Sequence, residues 1–302
     1  MKIGLVGIGK MGYNLALNLK DKGHQVVVYD KSSDLVRKIK EQGIEGALDL
    51  KQLVSLLPER KIIWIMVPAG DAVEDTINCL YDLLNKGDIV IDGGNSHYKD
   101  TLRRVELLQK KEINYVDIGT SGGLEGARNG ICAMVGAKKE IFEIIEPLIK
   151  DISIKNGYIH TGKTGSGHYV KMIHNAIEYG MMQAIGEGFE ILKKSPFELN
   201  LVDISRVWNH GSVIRSWLME LTHQLLLKEP SLDSIKGKIK SSGETIWALH
   251  EALDLGVPAP ITALSQFTRF ASETEDSFSN KIVAGLRNEF GGHSVTKKIM
   301  GD

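Results

Sequence analysis

The feature that most constrains this chain sits at its start. An apolar run, Ile3 to Val6, leads straight into Gly7-Ile8-Gly9-Lys10-Met11-Gly12, and an amphipathic stretch follows. Strand, glycine turn and helix in that order give each glycine a purpose. The first permits a tight turn, the second lets the backbone approach a pyrophosphate, and the third lets helix and strand pack closely. The glycines could also do no more than close the turn, but the next strand adds weight to the first reading. Val26-Val27-Val28-Tyr29 ends in Asp30, roughly 20 residues on, where a carboxylate can accept hydrogen bonds from both ribose hydroxyls of NAD and would repel an adenosine 2′-phosphate. Lys31 offsets part of that repulsion, and Asp30 could instead cap the segment entered at Lys31-Ser32-Ser33. The expected cofactor is NAD, ahead of NADP.

Beyond this unit the first half keeps alternating. Strand-like runs at Gln25 to Tyr29, Ile62 to Val67, Ile89 to Ile91, Tyr115 to Ile118 and Ile131 to Val135 are separated mostly by amphipathic helical patterns. Thr101 to Lys111 is one, with Leu102, Val105 and Leu108 recurring every third residue. Such alternation predicts an α/β Rossmann-type N-terminal domain with a doubly wound, mostly parallel sheet. Around Gly162 to Gly167 the pattern changes to one uninterrupted helical run, His168 to Lys194, and no comparable strand signal follows. The expected domains are therefore 1–164, binding the dinucleotide, and 165–302, all-α, which suits 302 residues at roughly 100 to 200 per domain.

Composition narrows the function classes. Lysine plus arginine total 37 against 38 aspartate plus glutamate, so no basic surplus exists to neutralise a nucleic-acid backbone or an anionic membrane. Small-molecule chemistry is expected. The two cysteines, Cys79 and Cys132, are too few for a disulfide framework or a four-thiolate zinc site, which favours a reducing, cytoplasmic compartment. No apolar run approaches the roughly 20 residues of a membrane span, and the first residues read as a strand, not a signal peptide.

Within the long helical run, Lys171, His174, Asn175 and Glu178 stand at i, i+3, i+4 and i+7, a stripe about 100° wide. Tyr179 borders it, and Val170, Met172, Ile173, Ala176, Ile177 and Met181 cover much of the remaining circumference. That surround predicts a buried helix whose polar stripe faces a cavity, ligand or partner. Beside a nicotinamide the stripe serves as acid and base: a desolvated lysine can accept a hydroxyl proton and a carboxyl can return one. A solvated face with a Lys171 to Asn175 contact is the plain alternative. His174 and Glu178 at i and i+4 also suit a metal, but no third ligand stands at a suggestive spacing and none is expected. Two further glycine-rich segments, Asp92-Gly93-Gly94-Asn95-Ser96 and Gly119 to Ala127, follow strand ends where doubly wound sheets bind ligands.

Together these residues resemble the 6-phosphogluconate dehydrogenase family of β-hydroxyacid dehydrogenases over nearly the whole chain. The resemblance rests on the nucleotide loop, Val67-Pro68-Ala69-Gly70, Asp92 to Ser96, Ser121-Gly122-Gly123-x-x-Gly126-Ala127, and Lys171 to Gly180. It implies oxidative decarboxylation of 6-phosphogluconate to ribulose 5-phosphate and carbon dioxide. Lys171 would take the C3 hydroxyl proton and Glu178 would protonate C1 of the enediol. Ser121, Gly122, Gly123, His174 and Asn175 would hold the carboxylate and nearby hydroxyls, with Asn95 between cofactor and substrate; Val67, Pro68 and Ala69 join Gly7 to Gly12 on the cofactor side. Tyr179 and Arg269 would bind the phosphate. Arg287-x-x-Phe290-Gly291-x-His293 resembles the tail by which the family completes a neighbouring subunit's site, so a homodimer or homotetramer is implied; read alone, Arg287 is a solvated helix charge and His293 a frayed end.

Two departures stand out. The helical half is much shorter than the duplicated domain of the family's longer members, which resembles the short, NAD-type form. Where the family places a basic phosphate ligand before a tryptophan, this chain has Ile246 before Trp247, leaving Arg269, Arg287 and Lys163 or Lys240 for that task. A dehydrogenase or reductase of a smaller 3-hydroxy acid, of 3-hydroxyisobutyrate or tartronate semialdehyde type, is the second expectation. A silent NAD-binding regulator is the third, and the intact acid and base residues argue against it.

Overall fold

The computed structural model describes residues 1–296. The chain divides into two compact units, Met1–Asn175 and Ala176–Asp302.

The first unit is built on one sheet. Its strands are β1 (Lys2–Val6), β2 (Gln25–Tyr29), β3 (Glu45–Gly46), β4 (Ile62–Ile65), β5 (Ile89–Asp92), β6 (Asn114–Ser121), β7 (Ile131–Gly136) and β8 (Ser153–Gly162). Helices α1 (Lys10–Asp21), α2 (Ser33–Glu41), α3 (Leu50–Ser55), α4 (Asp71–Leu83), α5 (Tyr98–Gln109), α6 (Gly123–Asn129) and α7 (Lys139–Ile152) connect them. The spatial order is β3-β2-β1-β4-β5-β6-β7-β8. Every pairing is parallel except β6 with β7, where Asp117 faces Gly136 and Ser121 faces Cys132.

Both faces of the sheet are covered, as the near-continuous apolar strands require. Leu5, Trp64, Ile91 and Val116 pack on one face with Leu15 and Leu19 of α1 and Ile145 of α7. Val6, Ile63, Ile65 and Val90 pack on the other with Leu53 of α3, Ile77 of α4 and Leu108 of α5. The doubly wound Rossmann-type sheet expected from the alternation is therefore present. Two strands carried no recognisable signal. β3 is only two residues long, and β8 lies at the sheet edge, largely exposed or half-buried, interrupted by Asn156 at φ 61°. β6 also extends past Ile118, so Gly119, Thr120 and Ser121 are strand residues rather than loop, and α6 begins at Gly123.

Helix α8 (Ser166–Lys193) carries the chain from the first unit into the second, which continues with α9 (Leu201–Asn209), α10 (Trp217–Lys228), α11 (Glu244–Asp254), α12 (Pro260–Glu273) and α13 (Phe278–Gly291). The helical second half is thus as expected. The burial of α8 is not: Met172 and Ala176 are buried, but Val170, Ile177 and Met181 are 39%, 59% and 43% exposed. These three fall on one side of the helix at i, i+7 and i+11, so its apolar surface is only partly covered. Among the described residues no helix is long and apolar enough to cross a membrane.

Candidate active site

The glycine loop is shaped by close approach. Gly7 has φ +89°, and a Cβ at Gly12 would lie 2.0 Å from the Gly7 carbonyl oxygen, so neither position accepts a larger residue without displacing the turn. Tyr13 N–H donates to Gly9 O, starting α1 directly beyond the loop. Asp30, at the end of β2, accepts the Ile8 N–H through Oδ2 and the Ser32 N–H through Oδ1, both at 2.8 Å. Ser32, not Asp30, caps α2.

A cavity of about 310 Å³ opens at the carboxyl ends of β1, β4, β5 and β6. Gly9, Lys10, Met11 and Gly12 line one wall, Met66, Val67 and Pro68 a second, and Gly93, Gly94, Asn95 and Thr120 a third. The structure therefore joins three separately recognised motifs, and adds Met66 and Thr120, which sequence reasoning did not single out. Thr120 was within reach, because it lies inside the Gly119 to Ala127 motif. Ala69 is not among the lining residues. A cradle that a Cβ would fill, next to an acidic residue at the end of β2, fits a dinucleotide.

The Asp92 to Ser96 loop is held by buried charge. Asp92 is fully buried and accepts from Ser96 Oγ (2.7 Å), Gly94 N–H (3.0 Å), Tyr115 OH (2.8 Å) and Arg104 Nη1 (3.2 Å). Arg104 also donates to Glu74 and, at 3.5 Å, to the Gly70 carbonyl, tying the Val67 to Gly70 segment to the same node. Burial works against the Arg104 charge, but Tyr115, Asp92 and Glu74 outweigh it and raise its pKa; burial, then Asp92, pushes the Tyr115 phenol well above its usual range. Asn95, in the left-handed region at φ 55°, exchanges both amide bonds with the Thr120 backbone, Oδ1 accepting at 3.0 Å and Nδ2 donating at 3.3 Å.

On α8, Lys171 and Asn175 are buried and His174 is half-buried. Lys171 Nζ donates to Asn175 Oδ1 at 2.5 Å, His174 Nδ1 is 3.2 Å from both, and His174 Nε2 is 3.2 Å from Ser121 Oγ on β6. The expected Lys171 to Asn175 contact thus exists, buried rather than on a solvated face. Gly122 and Gly123 follow Ser121 at φ +114° and +58°. Glu178, one turn further along α8, is half-buried. Among the described residues no group of three or more His, Cys, Asp or Glu converges as a metal site would.

The second unit has its own polar cluster. The Arg269 guanidinium stacks 3.4 Å from the Tyr179 ring centroid and donates to the Lys240 carbonyl, while the Tyr179 hydroxyl meets Ser242 Oγ at 2.7 Å and accepts the Ser242 N–H at 3.2 Å. Tyr179 and Arg269 are brought together here, and Ser242 joins them without prior signal. Arg287 lies exposed on α13 and His293 just past its end. Lys163 is exposed in the first unit and Ile246 lies on α11.

Residues 2–162 match the NAD binding domain of 6-phosphogluconate dehydrogenase and residues 167–298 match the 6-phosphogluconate dehydrogenase C-terminal domain. The chain belongs to the 6-phosphogluconate dehydrogenase family. Within it, YqeC of Bacillus subtilis (strain 168), provisionally named a 6-phosphogluconate dehydrogenase, is 52% identical over 298 residues, spanning 99% of this chain and all of the relative. An NAD-dependent decarboxylating 6-phosphogluconate dehydrogenase of Haloferax volcanii is 40% identical over 300 residues, 99% of each chain. The Plasmodium falciparum 6-phosphogluconate dehydrogenase, solved with NADP and with 6-phosphogluconate, superposes with a TM-score of 0.84 at 29% identity, covering all of this chain and 67% of that one. This member of the 6-phosphogluconate dehydrogenase family is therefore an oxidoreductase homologue with an NAD(P)-binding N-terminal domain and a helical C-terminal domain.

Proposed function

We propose that the protein catalyses oxidative decarboxylation of 6-phosphogluconate to ribulose 5-phosphate and carbon dioxide with reduction of NAD. The observation that carries this reading is the buried Lys171, held by Asn175 and His174 beside Ser121 at the carboxyl end of β6. When bound in the cradle of Gly7 to Gly12, NAD supplies the hydride acceptor for C3. Lys171 takes the proton of the C3 hydroxyl. The 3-keto acid then loses its carboxylate as the protonated lysine stabilises charge growing on the ketone oxygen, and Glu178 delivers a proton to C1 of the enediol. Ser121, Gly122, Gly123, His174 and Asn175 hold carboxylate and hydroxyls, and Asn95 orients between cofactor and substrate. Tyr179 and Arg269 take the phosphate, with Arg287 and His293 supplied by a second copy. Asp30 supports NAD over NADP, since its carboxylate already sits beside the loop.

A second copy is also supported by the open apolar surface. No residue of α13 is buried, and Phe278, Leu286 and Phe290 on it are 76%, 55% and 78% exposed. We take the assembly to be a homodimer or homotetramer, which light scattering of the purified protein tests.

The deciding assay mixes protein with 6-phosphogluconate and NAD or NADP and follows absorbance of the reduced cofactor. Formation of NADH with release of carbon dioxide is expected, and no reduction with either cofactor would overturn the reading. Ile246, apolar where the family has a cation, favours one competitor, a smaller unphosphorylated 3-hydroxy acid. A substrate panel separates them by kcat/KM.

A further inference from the structure

Three residues on one face of β6 meet three residues on one side of α8. Asp117 accepts the His168 N–H through Oδ2 at 2.7 Å and the Gly165 N–H through Oδ1 at 2.6 Å. Two residues along, a Cβ at Gly119 would stand 2.3 Å from Lys171 Cβ and 2.8 Å from the Gly167 carbonyl oxygen. Two further, Ser121 Oγ meets His174. Strand positions 117, 119 and 121, which share a face by the period of two, thus engage helix positions 168, 171 and 174, which share a side at i+3. The pairing is a register, and a strand and a helix can hold one only if something fixes the start. The start of α8 has unsatisfied N–H groups that slide or tilt with the helix unless an acceptor claims them; Asp117 claims that of His168 in the first turn and that of Gly165 just ahead of it.

We infer that Asp117 is a positioning residue for the proposed general base: by clamping the first turn of α8 to β6 it fixes where Lys171 stands above Gly119. This rests on the role proposed for Lys171. The carboxylate is a costly way to hold a helix. Asp117 is fully buried, and burial raises its pKa despite the neighbouring His168 and the two N–H donors. A raised folded-state pKa means that the ionised side chain weakens the fold as pH rises through that value, so stability alone does not account for it. What the ionised form uniquely offers is two acceptor oxygens and no donor. Asparagine in its place would turn an amide N–H against one of these two backbone N–H groups and release one corner of the clamp. His168 completes the attachment from the side-chain direction, with its ring nitrogens 2.8 Å from Thr101 Oγ1 and 3.2 Å from the Asp92 carbonyl oxygen.

Asp88 provides the control. It is 1% exposed, accepts two backbone N–H groups, of Lys61 and Asn85, and lies at the opposite end of β5 from the cavity. D117N and D88N would be compared with wild type in two measurements. The first is the rate at which an amine-selective reagent, trinitrobenzenesulfonate, labels Lys171, read by peptide mass spectrometry without substrate. The second is the kcat against KM split with whichever substrate the enzyme turns over. For D117N we expect labelling of Lys171 to rise several-fold and kcat to fall about tenfold or more, with KM for the cofactor within about twofold, because a displacement of an ångström suffices for such losses. For D88N both stay near wild type even where its melting temperature falls. Unchanged Lys171 labelling in D117N, or equal kcat losses in the two variants, would overturn the proposal. If D117N does not fold, G119A reads the same register by pushing on Lys171 and must show the same two changes. Failure of wild type to oxidise 6-phosphogluconate would strike the proposed reaction alone, since the labelling readout needs no substrate.

Discussion

The carboxylate of Asp30 accepts the backbone N–H of Ile8 at 2.8 Å, so the residue that would read the adenosine ribose is also a strut of the phosphate-facing loop. Its two roles separate on mutation. Asp30→Ala should lower kcat/KM for NAD about tenfold, the scale of one charge-assisted hydrogen bond, and affect NADP less, because a repulsive charge leaves at the same time. Steady-state kinetics with both cofactors check this; an unchanged NAD to NADP ratio would place discrimination elsewhere.

Lys171→Ala tests the base. With the amine gone, kcat should fall by roughly 10² to 10⁴, while dinucleotide binding, measured by fluorescence quenching, stays near wild type because the cradle of Gly7 to Gly12 is untouched. A near-wild-type rate would remove lysine from the mechanism.

Arg104→Met tests the node beneath the two cofactor loops. The substitution preserves apolar bulk but leaves Asp92 buried without its cation, which should cost about 3 to 5 kcal/mol in urea unfolding. It should also raise KM for the cofactor, since the segments ending in Gly70 and beginning at Gly93 lose their common tie. A loss below about 1 kcal/mol would show that Tyr115 and Ser96 hold Asp92 well enough alone.

His24 predicts an acid-side stability loss. Burial first, then the positive N-terminus, lowers its pKa below 6.5, outweighing Asp151. A histidine with a depressed folded-state pKa stays neutral in the fold while the unfolded chain takes up the proton. Stability is therefore intact above about 6.5 and lost as pH falls through the folded value. His24→Gln should flatten the profile of melting temperature on the acid side of about pH 6.5; an equally steep decline would assign it to other groups.

Much of this was legible in the sequence because it is local. The strand, glycine turn and helix at Ile3 to Gly12, the carboxylate closing β2 and the i, i+3, i+4 stripe of α8 are all decided within a few residues, and the fold keeps them. What escaped is tertiary. β8 is an edge strand with a left-handed Asn156, and its pattern is carried by pairing with β7 rather than by its own side chains. The exposure of Val170, Ile177 and Met181 was missed because an apolar side chain does not say whether its own chain or another covers it. Asp92 and Asp117 did leave a trace: a carboxylate inside an otherwise apolar central strand must have partners, and those of Asp117 lie some 50 positions away, at Gly165 and at His168 in the first turn of α8.

The one antiparallel pairing of the sheet determines which way α8 points. Had β7 and β8 run with β6, the chain would leave β8 at the ligand-facing rim and the next helix would head away from it. Because β7 turns back and β8 follows it, Gly162 and Gly165 lie level with Gly136 and Asp117, in the middle of β6 and short of its ligand-facing end at Ser121. Helix α8 therefore climbs alongside β6 in the strand's own direction, carrying Lys171 past Gly119 and then His174 to Ser121. Two strands that run against the other six thus bring Lys171 and His174 toward the end of the sheet where the glycine loop stands.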